Sequence, residues 1–357
     1  MDTYPITVHS LERYFKIDGK TLEKNYRDKL SDFSTWDQRE HATEWLLIPE
    51  NLGEHVCLDE TMLNGDLVTI VSNPEAHCGQ GAIIAVVSGT KAEEVSKILD
   101  QIPLHEREKV KHVTMDFSDS MHAIAQSSFP CADITIDHFH IIKRAVEAIE
   151  ELRLRAKREA IAEQKKEEKE FKDHLKRLKK QRADYRKKHP KRPKGKKRGR
   201  KPLRAKSYRP SKLSNGDTKV ELLTRSRCLL SQSGEKWSTK QSQRAALVFE
   251  NHPKIKEAYG LVCSLRCILS NRQLDKTSGR EKLHEWYGKI SGCTLREMKA
   301  VRDLIKSREE DIVTFFGNRL SNAPAESLNS KLKAFRAQVR GVKDLSFFLY
   351  RVSLIFG

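Results

Sequence analysis

Between His55 and His140, short apolar runs alternate with helical patterning, and three of those runs close on an acid. "HVCLDE" reads as a short strand that ends in Asp59-Glu60. "DLVTIVSN" and "GAIIAVVSG" are β-branched runs joined by a connection containing Pro, Gly and His, the pattern of antiparallel neighbours. "TKAEEVSKILDQI" is a helix with Thr90 and Glu93 at capping-box spacing. "KHVTMD" is a strand ending in Asp116, "SDSMHAIAQSSF" a helix, and "ADITID" a fifth strand ending in Asp137. Three strands, a helix, a strand, a helix and a strand predict an α/β fold in which the first three strands meander and the later ones join through helices.

That order is the ribonuclease-H-like arrangement, a five-stranded mixed sheet with flanking helices. The other segments are helical. Residues 1–45 read as short helices broken at Ile17-Asp18-Gly19, with Thr21 to Leu30 either a recognition helix or half of a hairpin packed on the next domain. From 143 to 317 a large all-helical insertion is expected, with Ile142, Val146, Ile149 and Leu152 spaced as one face at its start and Trp237, Leu247, Phe249, Tyr259, Leu261 and Trp286 as core contributors. Residues 46–142 and 318–357 form the two parts of the interrupted core.

Charge is segregated in the same way. The 357 residues carry a net charge of +19, but Ile141 to Lys212 alone hold 30 Lys/Arg against 10 Asp/Glu, so the rest is nearly neutral. A one-signed arm of that density calls for a polyanion, and its part at 186–212 has too little apolar content to fold alone. Seven cysteines without a CxxC pair suggest neither a disulfide framework nor a zinc module. Cys263 and Cys267 are expected to face a core, as in a reducing cytosol. No apolar leader and no membrane-length stretch is present, so a cytoplasmic location is expected.

A carboxylate at the end of a buried strand is costly unless it meets a cleft or a cation, although strand-end aspartates also serve as turn formers. Asp59 and Asp116 close strands that would be neighbours. Phosphoryl transfer by two divalent ions needs acids gathered in this way, and hard oxygen ligands suit Mg²⁺ or Mn²⁺. A third acid lies in "RLSNAPAESLNSKLKAFR", where Asn322 can cap a helix that has Pro324 in its first turn. Glu326, Asn329, Lys333 and Arg336 then share one face, and Leu328, Leu332 and Phe335 the other. The same periodicity describes an ordinary amphipathic helix.

"CLDE", "VTMDFS", "ITIDHFHIIK" and "NAPAESLNSKLKAFRAQVRGVKD" together resemble the DDE transposases of the ISL3 group of insertion sequences, in a branch typical of Bacteroidetes. The resemblance runs from about Trp45 to the C-terminus. It implies that Asp59, Asp116 and Glu326 are the catalytic acids and metal ligands, with the insertion explaining the 210 residues between the last two. It places Asp137 and His140 around the active site together with Asn329, and leaves Asp137 open as an alternative second ligand. Glu60 would point to the other sheet face. The zinc-binding segment that begins longer members is absent before Asp59. End recognition therefore falls to the N-terminal helices, the basic arm, or a separately encoded N-terminal DNA-binding protein.

The expected partner is DNA, both the terminal repeats and the target, bound by a homodimer or higher multimer. Lys333 and Arg336 are candidate phosphate contacts. In the arm, "GKKRGRKP" contributes Lys196, Lys197, Arg198, Arg200 and Lys201, as a phosphate-binding tether or a minor-groove hook. The expected activity is metal-dependent cleavage at insertion-sequence ends followed by strand transfer. The alternatives are a DNA nuclease without strand transfer and a non-catalytic transposase-derived DNA-binding protein.

Overall fold

The computed structural model describes residues 2–6, 8–63, 65–189, 207–339 and 344–357. These fall into two compact units, one of residues 1–142, 268–285 and 304–357, the other of residues 143–267 and 286–303. Residues 268–285 and 304–317, assigned to the insertion from sequence, group with the sheet unit. Among the described residues no helix is long and apolar enough to cross a membrane.

The sheet unit opens with α1 (Val8–Phe15) and α2 (Gly19–Asn25), the latter capped by Asp18, which accepts from the Thr21 N–H at 2.8 Å. The chain then widens into a π-helical turn at Tyr26–Leu30. Tyr26 and Phe33 pack against Phe347 and Tyr350 near the C-terminus. A recognition helix and half of a packed hairpin both bury one face in this way, and of residues 21–30 only Tyr26 is buried.

The strands are β1 (Trp45–Leu47), β2 (His55–Leu63), β3 (Asp66–Ser72), β4 (Ile83–Ser88), β5 (His112–Met115) and β6 (Asp133–Ile136). Helices α3 (Ala92–Leu99), α4 (Leu104–Arg107) and α5 (Asp119–Ser128) lie between β4 and β6 in the chain, and α6 (His138–Lys188) follows. The sheet order is β1-β4-β3-β2-β5-β6. The β2-β3-β4 meander is antiparallel, and β2-β5-β6 run parallel. This is the mixed ribonuclease-H-like sheet expected, with one added edge strand. "WLL" pairs antiparallel with Val87, Val86 and Ala85, yet three residues without an alternating pattern left no signal for β1.

Register explains why these strands read as almost continuous apolar runs. Asp59, Ile70, Val86 and Leu46 form one cross-strand row, and Leu58, Val71, Ala85 and Leu47 form the next row, on the opposite face. Both rows are buried, so the sheet is covered on both sides. The expected capping box at Thr90 and Glu93 is absent. Lys91 takes the cap position without a side-chain bond and pairs with Glu94 instead.

The second unit is helical. It contains most of α6 and α7 (Lys219–Arg225), α8 (Arg227–Leu230), α9 (Thr239–Asn251) and much of α10 (Pro253–Ser270). Thr218 and Ser238 make capping boxes for α7 and α9. Trp237, Phe249 and Tyr259 form an aromatic group, and buried Trp286 donates its indole N–H to the Leu261 carbonyl. Buried Asp217 pairs with Arg225 and Arg244. None of the seven cysteines is in a disulfide, and Cys267 is exposed rather than core-facing because its position falls outside the apolar stripe of Val262, Leu265 and Leu269.

The chain continues through α11 (Lys276–Ser291), α12 (Arg296–Ser307), α13 (Glu309–Asn318), α14 (Ala323–Gln338) and α15 (Leu345–Phe356). In the sheet unit α13 packs along β6. On the face that carries Ile70, Val86 and Leu46, α14 contributes Leu328, Leu332 and Phe335, and α15 adds Phe348, Leu349, Val352 and Phe356. The Phe335 and Phe348 rings lie 5.0 Å apart. This burial fixes α14 over the sheet row that contains Asp59.

Candidate functional site

Parallel pairing of β2 with β5 runs from His55↔His112 to Leu58↔Met115 and stops there. β5 ends at that point, while β2 continues to Leu63 as a hairpin with β3. Asp59 is therefore mid-strand rather than the strand end expected, and Asp116 is the first residue beyond β5. Both reach the same edge. Glu60 belongs to the opposite row, as alternation requires.

The buried stripe of α14 settles which side chains it presents to the edge. Asn329 is buried beside Leu328 and donates its amide to Asp59 Oδ2 at 2.6 Å, while the Glu60 N–H donates to Asp59 Oδ1 at 2.8 Å. One turn earlier, Glu326 is exposed and stands 3.6 Å from His140 Nε2. The same nitrogen lies 3.2 Å from Asp116 Oδ1. The imidazole thus sits between two of the acids. Lys333 is exposed and Arg336 half-buried further along α14.

Asn322 has a role that sequence reasoning missed. It makes no side-chain cap on α14. Fully buried, it donates its amide to the Leu58 carbonyl at 3.1 Å and to Asp116 Oδ1 at 3.0 Å. Its backbone N–H donates to Asp137 Oδ2 at 3.1 Å. One residue thereby ties β2, the end of β5 and the turn after β6 to the start of α14. An Asn before Ala-Pro reads as a cap, and spacing does not reveal an amide aimed inward.

Electrostatics separate the acids. Burial pushes the Asp59 carboxyl up to about 7, reinforced by the charges of Asp116 and Glu326 and opposed by the Glu60 and Asn329 bonds. Asp116 is also raised, chiefly by burial, with His140 and Asn322 pulling the other way. Burial also acts to raise Asp137, but His138 and the N–H groups of Phe139 and Asn322 outweigh it and hold this carboxyl below the usual range. The direction of this shift separates Asp137 from Asp59 and Asp116.

Asp59, Asp116 and Glu326 offer only hard oxygen donors, and a divalent cation would offset the burial and mutual repulsion that raise Asp59 and Asp116. The Oδ1 atoms of Asn322 and Asn329 are buried acceptors without a hydrogen-bond partner. The chemistry of this donor set fits Mg²⁺ or Mn²⁺. In this conformation the acids are gathered but not closed: among the described residues no three His, Cys, Asp or Glu side chains enclose a metal position. Lys196, Lys197, Arg198, Arg200 and Lys201 lie outside the described residues.

Among known families, a model described as transposase, of the DDE type named for ISL3, matches residues 56–352. No curated protein and no solved structure matches the chain.

Proposed function

Because the chain belongs to the ISL3 group of DDE transposases, we propose that it cleaves DNA at the ends of an insertion sequence and joins those ends to target DNA, using Asp59, Asp116 and Glu326. The supporting observation is the convergence of acids from β2, β5 and α14 at one sheet edge, two of them buried enough to be held up in pKa. On this reading the three carboxylates hold Mg²⁺ or Mn²⁺ as a pair of ions, which when bound activates the attacking water or 3′-hydroxyl and neutralises the leaving oxygen.

The chain's own groups prepare that site. Asn329 and the Glu60 N–H fix both Asp59 oxygens, and Asn322 fixes Asp116. His140 supplies an imidazole nitrogen between Asp116 and Glu326. Asp137 anchors the turn from which His140 projects. Lys333, Arg336 and the basic residues of 186–212 contact phosphates, and two copies of the chain bridge the element ends, with or without a separately encoded end-binding protein.

The test is product analysis on a plasmid carrying the element's terminal repeats, in Mg²⁺. Strand-joined products are expected. Nicked or degraded DNA alone would make the protein a nuclease, and binding without cleavage a non-catalytic relative. If Asp59→Ala, Asp116→Ala and Glu326→Ala each leave cleavage intact, the assignment of the acids is wrong.

A further inference from the structure

Phe139 stands between two residues tied to the acid cluster. Its backbone N–H donates to Asp137 Oδ1 at 3.0 Å. The next residue, His140, lies 3.2 Å from Asp116. Phe139 is nevertheless 56% exposed. Its one described ring contact is with His140, edge to face, at a centroid distance of 5.3 Å and an interplanar angle of 77°. That contact covers at most one face of the Phe139 ring. Phe129, Phe335 and Phe348 of the same unit are by contrast buried.

An exposed aromatic face beside a phosphodiester-cutting centre has a matching ligand surface. Every nucleobase has a π-face, and stacking on an aromatic side chain tolerates any base. Asp59 is only 7% exposed, so a phosphate must be drawn inward to reach it. A strand drawn out of a duplex in that way loses base stacking near the reacting phosphate, and that loss must be compensated.

We infer that Phe139 receives an unstacked nucleobase adjoining the scissile phosphate and so holds the strand at the acids. This rests on the cleavage reading of the same site. The residue positions substrate and takes no part in bond making.

The experiment is a double-mutant cycle between protein and DNA. Duplexes ending in the element's terminal repeat, intact or with an abasic position on either side of the cleaved phosphate, are bound and cleaved by wild type, Phe139→Leu and Phe139→Trp. With wild type, one of the two abasic duplexes should lose affinity and cleavage by about 5- to 100-fold, the range of base–aromatic stacking. Phe139→Leu should treat intact and abasic duplexes alike, and Phe139→Trp should restore the difference, with all three proteins melting at the same temperature. Equal losses on intact and abasic DNA at both positions would overturn the stacking role. A wild type that cleaves while showing no such coupling removes this inference alone, whereas one that does not cleave the intact end removes the cleavage reading and this inference with it.

Discussion

Replacing Asp59 by asparagine should stabilise the metal-free protein at alkaline pH while abolishing cleavage. The folded carboxyl titrates at about 7 against an ordinary 3.8. Between those values the folded chain binds more protons than the unfolded one, so the raised group favours the fold at low pH and loses that effect as pH rises through 7. From pH 5 to pH 8 the linkage reaches about 2.5 kcal/mol as a ceiling, and roughly 1–2 kcal/mol once local relaxation is allowed for. The Asp59→Asn amide stays neutral throughout. Its NH₂ would first oppose the Asn329 amide, which faces Asp59 Oδ2 at 2.6 Å. Asn329 Oδ1 has no hydrogen-bond partner, so a half-turn of that amide restores a bond. In EDTA, calorimetric melting of Asp59→Asn minus wild type should therefore widen by about 2–8 °C from pH 5 to pH 8, at roughly 2–4 °C per kcal/mol. Mg²⁺ at pH 8 should raise the wild type and leave Asp59→Asn unchanged. A gap independent of pH, or equal stabilisation of both proteins by Mg²⁺, would refute the buried-charge argument.

Asn322→Ala removes the amide shared by Leu58 and Asp116. It should lower stability by about 1–3 kcal/mol, read by denaturant melting, and slow end cleavage well beyond what that loss explains. Gly279→Ala places a Cβ 2.5 Å from the Phe316 ring, so despite better helix propensity it should destabilise by about 1–3 kcal/mol; a neutral result would mean that α11 and α13 shift apart freely. Deleting residues 186–212 removes 15 cations and no Asp or Glu, and should flatten the dependence of DNA affinity on salt by several units of log–log slope in filter-binding titrations. An unchanged slope would make that segment a spacer.

The strand order was legible because both sheet faces are covered, so β2 to β6 appear as apolar runs that the loops interrupt cleanly. β1 was not, since three residues are too few to carry a periodic signal. Asp59 and Asp116 were legible as acids where no acid is cheap, but Asp59 was read as a terminus because the apolar run stops there. The strand itself continues through Glu60 to Leu63, paired with β3, but the polar Asp59-Glu60-Thr61 breaks the apolar run before buried Leu63. Glu326 was placed by helical spacing plus resemblance. The partners that fix the acids were only half visible. Asn329 followed from the face it shares with Glu326, whereas Asn322 looked like a cap, and an inward amide depends on a contact 206 residues away in the chain. Thr90 and Glu93 had the spacing of a box but not its backbone, because the helix begins later, at Ala92.

The tie made by Asn322 also orders events during synthesis. The β2-β3-β4 meander closes through neighbouring residues and can pair soon after it leaves the ribosome, but Asn322 bonds to Asp137 across 185 residues. A ribosome that stops anywhere in that interval releases a chain with its sheet strands and two of its acids, yet without Asn322, Asn329 or Glu326. Such a fragment lacks the last of the acids and the clasps on the other two. On the proposed assignment of the acids, the site is therefore completed last, with the C-terminal helices.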